Sequence, residues 1–129
     1  MATRREAELL AADRFARSLG ITLVSATDDG VTVEMEVRPE HVTASGGLHP
    51  SVAFSVADCA MSLISNAETR AFAVSAHLVT GGSVGLGQRL RATATPAHRE
   101  PGRVTWRVSV SNGESVLATF TGTTLEVPG

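Results

Sequence analysis

The residues best able to do chemistry lie in one stretch of the sequence, between residues 41 and 66. Asp58 is the single carboxylate between Glu40 and Glu68, and its sequence neighbours are small or apolar. An unpaired carboxylate in apolar surroundings is costly, so it requires a partner, a raised pKa or a chemical role. Asp58 is therefore the first candidate for a general base or a nucleophile. A structural hydrogen bond to a backbone N–H or a hydroxyl is the alternative interpretation.

Other reactive side chains accompany Asp58, and each also has a structural interpretation. His49 could belong to a catalytic site or simply cap a helix, and His41 could be catalytic or a loop residue. Cys59 is interpreted as a small core residue, because nothing nearby is built to lower the pKa of its thiol. The four histidines are scattered without ligand spacing, so no metal site is predicted.

A helix from Pro50 to Ile64 is predicted to carry Asp58. The length of this stretch suits a helix better than a strand, and Pro50 fits the first helical position. A helix that is apolar on every side is a buried helix. The apolar residues of this stretch are Val52, Ala53, Phe54, Val56, Ala57, Ala60, Met61, Leu63 and Ile64.

Alternating apolar and polar residues predict six strands around this helix. Residues 31–37 alternate without a fault, which is typical of a half-buried antiparallel strand. The predicted order is an N-terminal helix to about Ser18, two strands, the apolar helix and four strands. The strands are predicted at residues 21–27, 31–37, 71–80, 88–95, 103–111 and 115–127, with a loop at 98–102.

This order of elements predicts an α+β fold in one domain, residues 1–129. Short turns between consecutive strands give a curved antiparallel sheet, and the sheet must wrap around the apolar central helix. This is the hotdog architecture. One sheet cannot cover every side of the helix, so a second subunit is expected to complete the cover.

Composition excludes several classes of partner. The net charge is −2, which gives no reason to expect nucleic acid or an anionic membrane as a partner. A single cysteine cannot form an intramolecular disulfide, and no signal peptide or membrane span is evident. A cytoplasmic location is therefore expected.

Specific motifs in the chain resemble the phenylacetate-degradation (PaaI)-type thioesterases of the hotdog superfamily. His41 and Gly46 match the first histidine and a following glycine of that family, and Thr43 stands at its asparagine position. His49 matches the histidine of His-Gly-Gly, whose glycines are replaced here by Pro50 and Ser51. Asp58 falls on the family's acid, nine positions after His49.

The resemblance implies hydrolysis of an acyl-CoA thioester without any cofactor other than coenzyme A in the substrate. The family's acid activates water or attacks the thioester, while the N–H after the histidine polarises the carbonyl. Pro50 has no N–H, so Ser51 is expected to donate through its own N–H or hydroxyl. The remaining expected substrate contacts are Thr43, Gly46, Pro50, Ser75, Arg89 and Arg91. The last two could hold phosphates if they gather on one rim with Arg99 and Arg103.

A homodimer is expected, because about 13 Å separates His49 from Asp58 along one helix. A two-fold axis that sets two helices antiparallel would bring Asp58 of one subunit to His49 of the other, and dimers could pair further into tetramers. Two alternatives stay open. One is a protein that binds an acyl thioester with little or no catalysis, which Pro50 favours. The other is a hydratase or dehydratase, for which the expected Asp and His spacing is missing.

Overall fold

The computed structural model describes residues 4–81 and 85–128 of the chain. Six strands form one antiparallel sheet in the order β1-β2-β4-β5-β6-β3. This confirms the predicted hotdog architecture. The elements are α1 Arg4–Ala12, α2 Arg14–Ser18, β1 Thr22–Thr27, β2 Gly30–Glu36, a 3-10 turn Pro39–His41, α3 Pro50–Ser65, β3 Ala71–Thr80, β4 Arg89–Glu100, β5 Arg103–Ser111 and β6 Val116–Glu126.

One face of the sheet is apolar and buried, and the opposite face carries threonine, serine and arginine. The alternation predicted for β2, β4 and β5 is confirmed, because the apolar residue of each pair points to the buried face. The buried face carries Val31, Val33, Met35, Leu90, Ala92, Ala94, Val104, Trp106, Val108, Val110, Ala118 and Phe120.

Helix α3 lies against the buried face of the sheet and contacts strands β2 to β6. Met61 of α3 lies over Gly122 of β6. A side chain at position 122 would collide with the Met61 sulfur and with the Phe120 ring. A larger residue there would force the Met61 side chain to shift, although the backbone conformation is ordinary for any residue.

The prediction that α3 is apolar on every side is wrong. One side of the helix is polar, and the single chain leaves that side partly uncovered. Ser51 and Ser62 are exposed, and Ser55 and Asp58 are partly exposed. These four residues are spaced four, three and four apart, so they form one stripe along the helix. We call them the polar stripe.

Two element boundaries also differ from the sequence prediction. The N-terminal helix is broken at Asp13, whose carboxylate accepts a hydrogen bond from the Ala16 N–H at 3.0 Å and starts α2. Strand β4 continues through the predicted loop to Glu100, because a bulge between Pro96 and His98 accommodates the proline.

The two edges of the sheet are unequal. Strand β1 is short, and α1 contacts it. Strand β3 has ten residues, pairs only with β6 and is exposed along nearly its whole length. Phe72, Val74 and Val79 are 51%, 50% and 53% exposed. No helix in the part of the chain described is long and apolar enough to cross a membrane.

Candidate active site

The polar stripe brings the predicted acid to the accessible side of α3. Asp58 lies between Ser55 and Ser62 on this side, with Ser51 one turn nearer the start of the helix. The Ser55 hydroxyl donates to the Ser51 carbonyl at 2.8 Å, which fills its hydrogen-bonding capacity locally. The stripe thus presents one ionisable group, Asp58, among three small hydroxyl side chains.

The Asp58 carboxylate is half-buried, and it has no hydrogen-bond partner among residues 4–81 and 85–128. Burial raises the pKa of Asp58, and the nearby Asp13 carboxylate raises it further. The structural hydrogen bond considered for Asp58 is absent within that part of the chain. A partly desolvated carboxylate with a raised pKa is suited to accept a proton, as a general base must.

The N-terminus of α3 has an unusual arrangement of donors. His49 is the N-cap residue, and its Nδ1 accepts from the Ser51 N–H at 3.2 Å. The Ser51 Oγ lies 2.7 Å from the same Nδ1. Pro50 supplies no N–H at all. Ser51 was expected to donate to a substrate, but both its N–H and its hydroxyl contact His49.

The next two amides of the helix are also engaged. The Val52 N–H donates to the His49 carbonyl at 2.9 Å, and the Ala53 N–H reaches the same oxygen at 3.4 Å. A helix normally leaves its first N–H groups without partners inside the helix. Here the first turn of α3 has no backbone N–H left for a substrate oxygen.

The loop before α3 fixes the position of His49. The Thr43 N–H donates to the Gly47 carbonyl at 2.7 Å, and the Gly46 N–H donates to the Thr43 carbonyl at 2.9 Å. Gly46 has a positive φ of 91°, which favours glycine at this turn. The Thr43 hydroxyl contacts Ser45 at 3.0 Å. Thr43 and Gly46 therefore shape the turn in this structure.

His41 closes the base of the same loop. Its carbonyl accepts from the His49 N–H at 2.9 Å, and its Nδ1 accepts from the Arg38 N–H at 2.9 Å. The ring is only 2% exposed. Burial lowers the pKa of His41, and the Arg38 guanidinium adds to this effect. A buried neutral imidazole with these bonds holds the loop together.

The predicted substrate contacts on the sheet lie away from the polar stripe. Ser75 pairs with Thr123, which belongs to the face of the sheet opposite α3. Arg89 donates to Glu34 at 3.1 Å, and Arg91 forms an ion pair with the same carboxylate. Hydrogen bonding from Arg91 is the main cause that lowers the pKa of Glu34, although its burial opposes this.

The arginines do not gather on one rim, as phosphate binding by all four would require. Arg89 and Arg91 are at the start of β4. Arg99 is near its end and lies over the Trp106 ring at 5.4 Å, while Arg103 pairs with Glu100 at 2.8 Å. The condition for phosphate binding by all four is therefore not met, because β4 is a continuous strand that separates the two pairs.

Two cavities lie at opposite ends of α3. A cavity of about 380 Å³ lies beyond its C-terminal end, beside Ile64 and Trp106, and contains none of the predicted site residues. A smaller apolar cavity of about 70 Å³ lies next to the start of α3. The smaller cavity is the more relevant to the candidate active site, because it adjoins the end of α3 where His49 lies. It is lined by Leu48, Pro50, Ala53, Thr80, Val110, Leu117 and Ala118.

Sequence reasoning missed two residues of this region. Asp13 influences the Asp58 carboxylate from the break between α1 and α2, and its position inside a helical pattern concealed it. Ser55 extends the polar stripe, and the spacing of the serines around Asp58 could have revealed it.

Comparison with known proteins identifies relatives of this chain. Over 111 residues the chain is 35% identical to a Deinococcus radiodurans protein named "Putative esterase", covering 84% of this chain and 76% of that protein. A mutant of the phenylacetic acid degradation protein PaaI from Thermus thermophilus has a TM-score of 0.86 and 30% identity, over 89% of this chain and 100% of that one. No protein-family model matches the chain.

A third similar structure supports the fold over a larger share of the chain. The PaaI protein of E. coli has a TM-score of 0.92 at 22% identity, covering 98% of this chain and 93% of that one. The chain belongs to the PaaI-type thioesterase family of hotdog proteins. This membership supports hydrolysis of an ester or thioester as the general activity.

Proposed function

We propose that the protein hydrolyses an acyl-CoA thioester to the free acid and coenzyme A, with Asp58 as general base or nucleophile. The observation that carries this proposal is the state of the Asp58 carboxylate. It is half-buried, has a raised pKa and lies unbonded, within the described residues, on the accessible stripe of a helix that is otherwise packed into the core. Such a group is suited to proton transfer or attack.

The site is proposed to be shared between two copies of the chain. Nine residues of helix place His49 and Asp58 about 13 Å apart, so one thioester carbonyl cannot contact both within one chain. Two α3 helices related by a two-fold axis and lying antiparallel bring Asp58 of each copy near His49 of the other. The polar stripe then faces the partner.

Strand β3 supports this assembly. It is an unpaired edge with exposed apolar side chains, including Phe72 and Val79. An exposed apolar edge strand is a template for pairing with another chain. Antiparallel pairing of two β3 strands is self-complementary, as a two-fold interface requires. Further pairing into a dimer of dimers is part of the proposal.

In the base mechanism, Asp58 removes a proton from water while the water oxygen bonds to the thioester carbon. The carbonyl π electrons move to oxygen, giving a tetrahedral oxyanion. When this intermediate collapses, the carbon–sulfur bond breaks and the thiolate of coenzyme A takes the proton back from Asp58. In the nucleophile mechanism, a carboxylate oxygen attacks the carbon, the thiolate leaves, and water hydrolyses the resulting anhydride.

The substrate is proposed as a small molecule that needs no added cofactor or metal. The apolar cavity at the start of α3 can receive part of the acyl group, since Leu48, Ala53 and Leu117 line it. The coenzyme A portion would lie outside the sheet. Arg89 and Arg91 form ion pairs with Glu34, so they can bind the phosphates of coenzyme A only if these ion pairs break.

An acyl-thioester-binding protein without catalysis is the second candidate. The missing N–H at Pro50 and the engaged amides after it favour this alternative, because a developing oxyanion needs donors. A slow but measurable thioesterase and a pure binder differ in turnover, so hydrolysis must be measured directly.

Release of free thiol from a panel of acyl-CoAs tests the proposal. Asp58→Asn should reduce kcat by at least about a hundredfold, the scale typical of losing a general base. Asp29→Asn, in the exposed turn after β1, is the matched control and should leave kcat unchanged. Near-normal turnover by folded Asp58→Asn would remove Asp58 from the mechanism. Binding of acyl-CoA with no release of thiol would establish the second candidate.

A further inference from the structure

We propose that Ser51 is a positioning residue that fixes the tautomer of His49, so that the His49 Nε2–H is the donor to the thioester carbonyl oxygen. In this arrangement the imidazole replaces the backbone donor that Pro50 removes. The inference rests on the proposed function for its chemical consequence. The tautomer itself is a property of the free protein and can be measured without any substrate.

The tautomer follows from the contacts of Nδ1. A backbone N–H can only donate, so the 3.2 Å contact from the Ser51 N–H makes the His49 Nδ1 an acceptor. An acceptor nitrogen carries no proton. The Ser51 Oγ, 2.7 Å from Nδ1, must then donate its hydrogen as well. The proton of the neutral ring therefore resides on Nε2.

The other donors at this end of α3 are already used. Pro50 has no N–H, and the amides of Val52 and Ala53 both donate to the His49 carbonyl. The Ser51 N–H and hydroxyl both donate to Nδ1. Among the described residues of this turn, the Nε2–H is the one group left that can donate to an incoming oxygen.

The position of the ring suits this role. His49 is exposed, and its Nε2 has no hydrogen-bond partner in the described part of the chain. The ring is held at its base by the N-cap contacts and by the His49 N–H bond to His41 at 2.9 Å. A donor held in place before the reaction stabilises an oxyanion without reorganisation during it.

The sequence His-Pro-Ser therefore acts as one unit. Proline supplies a helix start with a fixed φ, and serine turns the imidazole so that its remaining N–H faces outward. Losing a single oxyanion donor typically lowers kcat by about 10²–10³-fold. We expect His49→Ala to show a loss of about this size if the Nε2–H is the donor.

The first test is the tautomer, measured by 15N-detected two-bond correlations of the histidine rings at neutral pH. The resonances lost in His49→Ala identify His49. The expected pattern is a protonated Nε2 and an unprotonated Nδ1 in wild-type protein. Ser51→Ala removes the hydroxyl contact but keeps the backbone N–H contact, so it should move the ring only part of the way toward a mixture of tautomers. Ser51→Thr, which keeps a hydroxyl, should restore the wild-type pattern. A proton on Nδ1 in wild-type protein would overturn the proposal.

The second test is the rate of acyl-CoA hydrolysis by the same variants. Ser51→Ala should lower kcat with little change in KM, Ser51→Thr should recover most of the loss, and Asp29→Asn, in the exposed turn after β1, should have no effect. If the tautomer responds to Ser51 but kcat does not, the Nε2–H is not the donor. Accumulation of an acyl-enzyme that disappears in Ser51→Ala would make Ser51 a nucleophile and overturn the positioning role.

These two readouts separate this inference from the proposed function. If no acyl-CoA is hydrolysed by wild-type protein, the proposed activity fails and the carbonyl-donor role fails with it. The tautomer assignment then still stands or falls on the spectrum alone. If hydrolysis depends on Asp58 but not on His49, the proposed function holds and this inference is wrong.

Discussion

Helix α3 has two sides with opposite properties. The side that faces the sheet carries Val56, Ala60 and Met61, all buried, and Met61 packs directly over Gly122 of β6. The other side carries the polar stripe and its half-buried carboxylate, Asp58. The first side is complete within one chain, whereas the second lacks a cover. Because the two sides are separate, we expect substitutions on the same helix to alter either the stability or the proposed chemistry without altering the other.

We expect the largest effect on hydrolysis from a substitution that separates the dimer, because the side of α3 with the polar stripe needs a second chain to complete the proposed site. Val79→Lys places a charge on the exposed edge of β3 and should convert a dimer into a monomer, because a lysine on an edge strand opposes pairing with another chain. Hydrolysis should fall nearly to the background rate, since His49 and Asp58 cannot meet within one chain. Light scattering at micromolar concentration and thiol release measure the two effects.

Val24→Lys, on the opposite edge at β1, is the matched control and should stay dimeric and active. Val24 is also exposed, at 44%, so the two variants differ mainly in which edge they alter. A monomeric Val79→Lys protein with wild-type hydrolysis would refute the shared site.

The next largest effect is expected on the packed side. Gly122→Ala forces a methyl group against the Met61 sulfur and should lower the free energy of unfolding by about 1–3 kcal/mol, as overpacking does. Gly47→Ala is the control, because nothing lies within contact of an added methyl there. Denaturant unfolding measures both variants. A fall in kcat of folded Gly122→Ala as large as that of Asp58→Asn would show that the two sides are not separable.

The loop before α3, which holds His49 in place, should make the stability of the fold sensitive to acid. The pKa of His41 is lowered in the folded state, below its ordinary value of about 6.5. The unfolded chain therefore binds a proton first as the pH falls. The stability that neutral His41 contributes is present above about 6.5 and is lost as the pH falls through the lowered folded-state pKa.

Urea unfolding at pH values about one unit above and one unit below 6.5 checks this expectation. His41→Gln should lose stability at the higher pH and show a smaller further loss at the lower pH. His98→Gln, at an exposed histidine, should retain the acid-side loss of the wild type. An equal acid-side loss in wild type and His41→Gln would show that the loop is not the sensitive element.

The smallest effect is expected from Asp58→Asn on stability. The folded-state pKa of Asp58 is raised, so its contribution to stability is fully present below the unfolded value and is lost as the pH rises through the folded one. At neutral pH the ionised carboxylate therefore lowers the free energy of unfolding slightly. Asp58→Asn should raise the midpoint of thermal unfolding a little while it reduces hydrolysis. A clear drop in that midpoint would reveal a structural role for the carboxylate.

The sheet-facing residues were predictable from sequence because period-two alternation is a local property. Val31, Val33 and Met35 were assigned to the core from β2 alone, and the structure buries them completely. The continuation of β4 past Pro96 was not predictable, because a bulge depends on the partner strand. The helix break at Asp13 was missed for a similar reason: a cap depends on geometry, and aspartate also occurs within helices.

The candidate site was predictable in its residue types but not in its contacts. Asp58 stands out because no other acid lies near it in sequence. The bond between Ser51 and His49 depends on two side-chain rotamers, which sequence does not specify. The separation of Arg91 from Arg99 could not be predicted from the sequence, because it depends on β4 being continuous between them. Ser75 lies on the face opposite α3 because a bulge follows Ala73. A shift of one residue in a strand moves every following side chain to the other face of the sheet.

The position of β3 in the sheet also constrains the order of events during synthesis. On the ribosome, β3 emerges before β4, β5 and β6, yet its single partner within the chain is β6. Pairing between segments far apart in sequence forms late in folding. The edge that a second copy would recognise therefore does not exist until the last strand has emerged. In the proposed dimer, a nascent chain can join a finished one only after its own β6 has emerged.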